Sequence, residues 1–267
     1  MAMLRLASAA FCVAVGVVVY LAIHAPVVAD AELRVLEGFM GLPGHAYAND
    51  LVGLFNPAPF AILAGSLVLG AVLARRPRAA AAALVTMLGA GATTQILKPL
   101  LAFQRDFPPM HYMGPVAYPS GHTTAVMSLA LALIIVSPVR LRPLAAAAGG
   151  LLTVATVFSI LVLGGHYPSD IVGGLLVATG WACLASAALR LELKPSRRGA
   201  ALGAFVLAAA GVCLVALRPA SALAYASANT TFVFGALAIA AGALVLSGSV
   251  PAPIAAQRRP RSPHARG

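Results

Sequence analysis

Three short segments bring together residue types that are costly in an apolar chain and suited to holding a tetrahedral anion. In LKPLLAFQRD, Lys98 precedes Arg105 by seven residues, close to two helical turns, so both cations would share a face of a continuous helix, although Pro99 opposes that continuity. In AYPSGHTTA, Pro119, Ser120, Gly121 and His122 stand where an apolar run begins. A helix starting there offers an anion its unpaired N–H groups and the positive end of its dipole, with His122 alongside. In SILVLGGHYPSD, His166 and Asp170 are four apart and Pro168 suits a first helical turn. A carboxylate that fixes one ring nitrogen leaves the other as nucleophile or base. Interfacial snorkelling explains Lys98 alone and a Ser cap explains Ser120 alone, but neither explains the three clusters together.

The elements that must carry these residues are membrane helices. Of 267 residues, 61% are hydrophobic and 9% charged, with a mean hydropathy of +0.93, which excludes a soluble globule. Gly and Pro are near ordinary usage and no heptad or solenoid period appears, which excludes collagen-like, coiled-coil and repeat folds. About 20 apolar residues cross a bilayer, and eight stretches approach that length: 6–28, 57–74, 79–97, 122–139, 144–165, 171–189, 199–217 and 232–250. The expected fold is all-α, a polytopic membrane helix bundle forming a single domain over 1–250, followed by a disordered basic cytoplasmic tail over 251–267. Arg5, an apolar run and the small residues Val27 and Ala29 resemble a signal peptide, but the run is longer than such segments use, so a retained first helix is expected. Leu33, Leu36 and Met40, with Glu32, Arg34 and Glu37 between them, predict a short amphipathic helix on the outer membrane surface.

Charge sets the orientation. The net charge is +11, yet the basic residues are strung between apolar stretches rather than gathered with aromatics, so a nucleic-acid partner is not expected and membrane lipids are. Fourteen of the 18 basic residues fall on one side, in the turns around Arg75 to Arg78, Arg140 and Arg142, and Arg190 to Arg198, and near the two termini. Arg34, Lys98, Arg105 and Arg218 fall on the other side with six of the seven acids. Both termini are therefore expected in the cytoplasm, the protein in the plasma (inner) membrane, and all three clusters at its periplasmic or extracellular face. Cys12, Cys183 and Cys213 lie in apolar runs and form neither a disulfide framework nor a metal set.

The order Lys98, six residues, Arg105; then Pro119-Ser120-Gly121-His122; then Ser159, six residues, His166, three residues, Asp170 resembles the three-part signature of the type 2 phosphatidic acid phosphatase superfamily. The resemblance implies a six-helix phosphatase-like core with two added C-terminal transmembrane helices. It also implies a lipid phosphatase or pyrophosphatase that uses no metal and no cofactor and acts through a phosphohistidine. His166 would attack phosphorus, Asp170 would orient it, and His122 would protonate the leaving oxygen. Lys98, Arg105, Ser120 and Gly121 would bind the phosphate.

Two positions depart from the pattern. Asp106 stands where the family has Pro, and Ile160 where it has a phosphate-clamping Arg. Loss of such a donor removes on the order of 3 to 4 kcal/mol of transition-state stabilisation. On the outer side Arg34 and Arg218 are the remaining candidates for a substitute cation. The missing Arg supports one alternative, a non-catalytic member that binds or translocates anionic lipids, and a change of acceptor gives another, a lipid phosphotransferase. His111 and Tyr112 are candidates for shaping a headgroup pocket, and Thr93 and Thr94 for bonds between helices.

Overall fold

A computed structural model describes residues 2–103, 115–191 and 196–249. Arg105, Asp106, His111, Tyr112 and the expected tail over 251–267 lie outside the described residues. Among the described residues, all regular structure is helical: α1 (Ala2–Ala22), α2 (Pro26–Met40), α3 (His45–Gly53), α4 (Pro57–Leu73), α5 (Pro77–Leu100), α6 (Gly121–Val136), α7 (Arg142–Val162), α8 (Pro168–Ala188), α9 (Arg197–Leu217), α10 (Pro219–Ala228) and α11 (Thr230–Ser249). The starts follow local chemistry. Proline occupies the first helical turn of α2, α4, α5, α7, α8 and α10, where its missing N–H removes an orphan donor. Serine side chains cap α6 and α9. α7 ends where Gly164, at φ +66°, takes a left-handed conformation and Gly165 N–H donates to Ile160 O at 3.0 Å.

Seven of the eight predicted spans each fall on one helix, and the first, 6–28, runs from α1 into α2. Six of the helices, α1, α5, α7, α8, α9 and α11, are long and apolar enough to cross a membrane, and the chain is a multi-pass membrane protein. α3 and α4 meet at a 55° bend and pass that test only as a pair. α6 has 16 residues, about 24 Å at 1.5 Å per residue, which is shorter than a bilayer core. Its side chains are mostly buried against protein.

Three expectations are corrected. The first span does not reach residue 28: α1 ends at Ala22, because Pro26 cannot continue the hydrogen-bond ladder and instead begins α2. The amphipathic helix exists as α2, but its apolar face is turned into the bundle rather than onto the membrane surface. Val35, Leu36 and Phe39 are buried where α2 meets α7, α8 and α11, and Gly38 admits Phe232 to a point where a Cβ would lie 2.3 Å from that side chain. The stretches read as connections also contain the short helices α3 and α10.

α8 is the most enclosed long helix and packs against α1, α5 and α6, while α7 packs against α6, α9 and α11. Polar side chains tie these helices at buried points. Trp181 Nε1–H donates to Thr93 Oγ1 at 2.8 Å, Thr94 and Thr124 share a 3.0 Å hydroxyl bond, and Arg5 donates to Ser186 O at 2.8 Å in the last turn of α8. Cys12 and Cys183 are buried free thiols, whereas Cys213 is exposed on the outer face of α9. Apolar side chains on the outside of α1, α4 and α9, such as Phe11, Ile62 and Phe205, face outward as lipid-facing positions do.

Close helix approach is localised at glycines. A Cβ at Gly149 would lie 2.9 Å from Cβ of Ala130 and 3.2 Å from its Cα, whereas at Gly211 nothing lies within 4 Å. Gly149→Leu is therefore expected to lower the thermal unfolding midpoint in detergent by the equivalent of about 1 to 3 kcal/mol, the usual range for overpacking. Gly211→Leu should leave it nearly unchanged, and equal effects would refute this account of α6–α7 packing.

Candidate active site

Two helix starts face each other. Ser120, buried at the N-cap of α6, donates its backbone N–H to Asp170 O in the first turn of α8 at 2.9 Å. Such an approach is possible because Gly173 and Gly174 have no side chains: a Cβ at 174 would lie 2.8 Å from Ser120 O, and one at 173 would lie 2.7 Å from the Tyr118 ring. The Ser120 hydroxyl accepts from Thr123 N–H at 3.3 Å and from Thr123 Oγ1–H at 3.0 Å. The Thr124 hydroxyl donates to Ser120 O at 2.8 Å, which locks the turn. The Ser120 hydroxyl hydrogen is thereby left to donate elsewhere.

On the other helix start, Asp170 is fully buried and accepts twice through Oδ2, from Tyr167 N–H at 2.9 Å and from His166 Nδ1–H at 3.2 Å. The first is the N-cap contact of α8, and the second fixes the imidazole with Nε2 carrying the lone pair. The carboxylate also sits at the positive end of the helix dipole. His166 is part-buried, with 12% of its side chain exposed.

The remaining groups arrive from neighbouring helices. Lys98 is half-buried in the last turn of α5, and a Cβ at Gly121 would lie 3.8 Å from its Nζ. His122 lies within electrostatic range of His166 and Lys98, and Lys98 within range of Asp170. The structure thus brings Lys98, Ser120, Gly121, His122, His166 and Asp170 to one end of the bundle. Arg34 and Arg218 are not drawn in: among the described residues, the Arg34 side chain pairs with Asp30 in an exposed ion pair, and the Arg218 side chain is exposed with no partner. Ile160 is buried in the apolar core.

Two groups were not found from sequence. Asn56, at the N-cap of α4, has Oδ1 3.1 Å from His122 Nε2, and since a carbonyl oxygen only accepts, Nε2 carries the hydrogen. Its place directly before Pro57, where a polar cap is favoured, was the available signal. Glu32, from α2, is buried and its Oε1 accepts from Ser169 N–H at 2.6 Å, satisfying another orphan donor at the start of α8. Its position among other charged residues of an amphipathic pattern made it look solvent-facing.

Tyr118 closes one wall and donates to Gly16 O of α1 at 2.9 Å. Tyr20, Phe103 and His24 stack near it, with Tyr20 and Tyr118 rings 5.6 Å apart and His24 and Phe103 rings 4.4 Å apart. Burial pushes the Tyr118 phenol up to about 12, with the negative charges of Asp170 and Glu32 adding to the effect.

Residues 79–193, which run from α5 past α8 and contain all three clusters, match the family model of the PAP2 superfamily. No curated protein matches the chain. A solved structure with a similar fold is the crystal structure of a transmembrane PAP2-type phosphatidylglycerolphosphate phosphatase from Bacillus subtilis. It is 17% identical, with a TM-score of 0.56, and the likeness covers 66% of this chain and 92% of that one.

Two measurements test the site as built. Removing the acceptor at residue 32 with Glu32→Ala should cost about 1 to 3 kcal/mol of stability by leaving a buried N–H unpaired, whereas Glu32→Gln keeps an acceptor and should cost less. Equal losses would show that the Ser169 bond is not what Glu32 contributes. For Tyr118, the folded state holds the phenol proton more tightly than the unfolded chain does, so its contribution to stability is complete below pH 10 and is lost as pH rises towards 12. Tyr118→Phe should be less stable than the parent at neutral pH and lose less stability between pH 10 and 12. Parallel pH profiles for the two proteins would contradict the raised value.

Proposed function

We propose, from the premise that residues 79–193 are a PAP2 superfamily region, that the protein hydrolyses a lipid phosphate or pyrophosphate at the outer face of the membrane through a phosphohistidine. The observation that carries this reading is the His166–Asp170 pair at the start of α8, set against His122 at the start of α6 and Lys98 at the end of α5. In the first step His166 Nε2 forms a bond to phosphorus, the P–O bond to the leaving group breaks, and His122 passes its Nε2 proton to the departing oxygen. Charge developing on the three equatorial oxygens is met by Lys98, Arg105, the Ser120 hydroxyl, backbone N–H groups of the α6 start and the helix dipoles. Water then attacks the phosphohistidine, the P–N bond breaks, inorganic phosphate leaves, and His122 takes the water proton. No metal or cofactor enters these steps.

A lipid substrate is supported by a cavity of about 530 Å³ between α1, α5 and α8, lined by Leu6, Val13, Leu97, Leu176, Trp181 and the Tyr118 wall of the site. Its walls are largely apolar from Leu6 in α1 to Tyr118 and Pro119 beside the start of α6, which suits an acyl or isoprenyl tail with its headgroup at the catalytic end. The charge distribution supports cytoplasmic termini and a catalytic end facing outward. The lipid-binding alternative is favoured by one observation, the buried Ile160 in place of an expected cation.

Phosphate release from purified protein in detergent, measured on phosphatidate, phosphatidylglycerophosphate and a polyprenyl pyrophosphate, decides between them. His166→Ala should reduce turnover to background, and Asp170→Asn should lower kcat by at least about a hundredfold through loss of imidazole orientation. Parent protein no more active than His166→Ala on every lipid would favour the binding reading. Release dependent on an added alcohol or lipid acceptor would favour the phosphotransferase.

A further inference from the structure

The end of the bundle away from the histidines contains a second cavity with a different chemistry. α5 runs from Pro77 to the Lys98 end, and α7 runs from Arg142 to the turn before His166. At 1.5 Å per residue, the starts of these helices lie roughly 30 Å from the candidate active site. Between them is a cavity of about 350 Å³ lined by Arg75, Arg76, Arg78 and Arg142, with Ile135 of α6 and Leu191 after α8 as its apolar walls.

We propose that this cavity binds the phosphate-bearing headgroup of an anionic lipid from the leaflet at that end of the bundle. Orienting a membrane protein requires basic residues somewhere in its inner turns, not guanidinium groups from two separate turns gathered around one hollow. Here the α4–α5 turn supplies Arg75 and Arg76, the first turn of α5 supplies Arg78, and the start of α7 supplies the fourth. The last turn of α6 holds two of them in place: Arg76 donates to Val136 O, and the Nε–H of Arg142, a residue only 8% exposed, donates to Ser137 O at 3.2 Å. A guanidinium has five N–H donors, so one carbonyl does not exhaust Arg76. Among the described residues, no acidic side chain lies within ion-pair distance of Arg75, Arg76 or Arg78.

The backbone adds a further sign. Arg75 sits at φ +57°, a left-handed conformation that glycine or asparagine adopts more easily, yet a guanidinium occupies it. Planar guanidinium groups match phosphate oxygens in pairs, and basic pockets between helix ends are suited to anionic lipid heads. A lipid source, rather than a soluble anion, follows from the rim: Leu73 and Leu144, beside the arginines, are 74% and 60% exposed and offer an apolar track for acyl chains.

The test is thermal unfolding of the full-length protein in a neutral detergent with added dioctanoyl phosphatidylglycerol, dioctanoyl phosphatidylcholine or sodium phosphate. Wild type is compared with the double variant R75G/R78Q, in which glycine relieves the left-handed backbone, so the protein without lipid should unfold no earlier. Phosphatidylglycerol should raise the midpoint of wild type saturably, with a half-saturating concentration about tenfold higher in the variant, since one charge-assisted hydrogen bond is worth roughly a decade of affinity. R78Q alone, a change to an exposed side chain, should shift it in the same direction by less. An equal phosphatidylglycerol response in wild type and both variants would overturn the site, and an equal response to phosphatidylcholine would overturn the headgroup requirement. Matching stabilisation by sodium phosphate at the same concentration would overturn the lipid source. The readout does not depend on turnover at His166, so it stands or falls apart from the catalytic reading.

Discussion

The backbone bond from Ser120 to Asp170 O joins the starts of α6 and α8, and the other contacts of the candidate site depend on it. Two helix N-termini brought together present their unpaired N–H groups and dipoles to the same small volume, an arrangement that repels cations and favours an anion. The approach is steric before it is electrostatic. Side chains at 173 and 174 would drive into Tyr118 and into Ser120 O, so the Gly-Gly pair in the first two turns of α8 decides how near the α6 start can come. Once that distance is set, the Ser120 cap and the Thr124–Thr94 bond carry the same registration into α5, and Lys98 follows from it.

Buried carboxylates are the cost of this arrangement and also its means of control. Asp170 and Glu32 are both enclosed, where an unpaired charge would be strongly unfavourable. Each is instead given to the N-terminal turn of α8: Asp170 accepts from Tyr167 N–H and Glu32 from Ser169 N–H. The helix dipole offsets part of their charge, and the remaining field of Asp170 acts on His166. This division bears on Ile160. If the site holds phosphate as proposed, the positive potential that an arginine at 160 would give must come from elsewhere, and among the described residues the two convergent helix starts and Lys98 supply it.

What the sequence disclosed, and what it did not, follows from how each residue differs from its neighbours. His166 and Asp170 stand out because polar residues four apart at the end of an apolar run have few structural explanations. Ser120 and His122 stand out for the same reason, and the expected helices were legible from apolar length. The break at Ala22 was legible in principle, since Pro26 lies inside the apolar run, but average hydropathy masks a single proline. Glu32 was hidden in a stretch of alternating charge whose apolar face could equally have met lipid. Only the packing of Phe39 and Leu36 against the bundle shows that α2 is inserted and carries Glu32 to α8. Asn56 is distant from His122 in sequence and becomes its neighbour through the α4–α6 packing alone.

An antiparallel bundle places helix N-termini at both of its ends, so dipoles cannot by themselves explain why one end would do chemistry. α6 and α8 begin at the histidine end, α5 and α7 at the arginine end. The difference lies in the side chains set against those dipoles. At the histidine end a buried carboxylate orients one imidazole and Asn56 accepts from a second, the pair that the proposed reaction uses as nucleophile and acid. At the arginine end four guanidinium groups surround the hollow, and among the described residues no imidazole or carboxylate lines it. Groups that stay protonated at every accessible pH can grip a phosphate but cannot attack it or move its protons. On the two proposals made above, the same helices set groups suited to turning over an anion at one end and groups suited to holding one at the other.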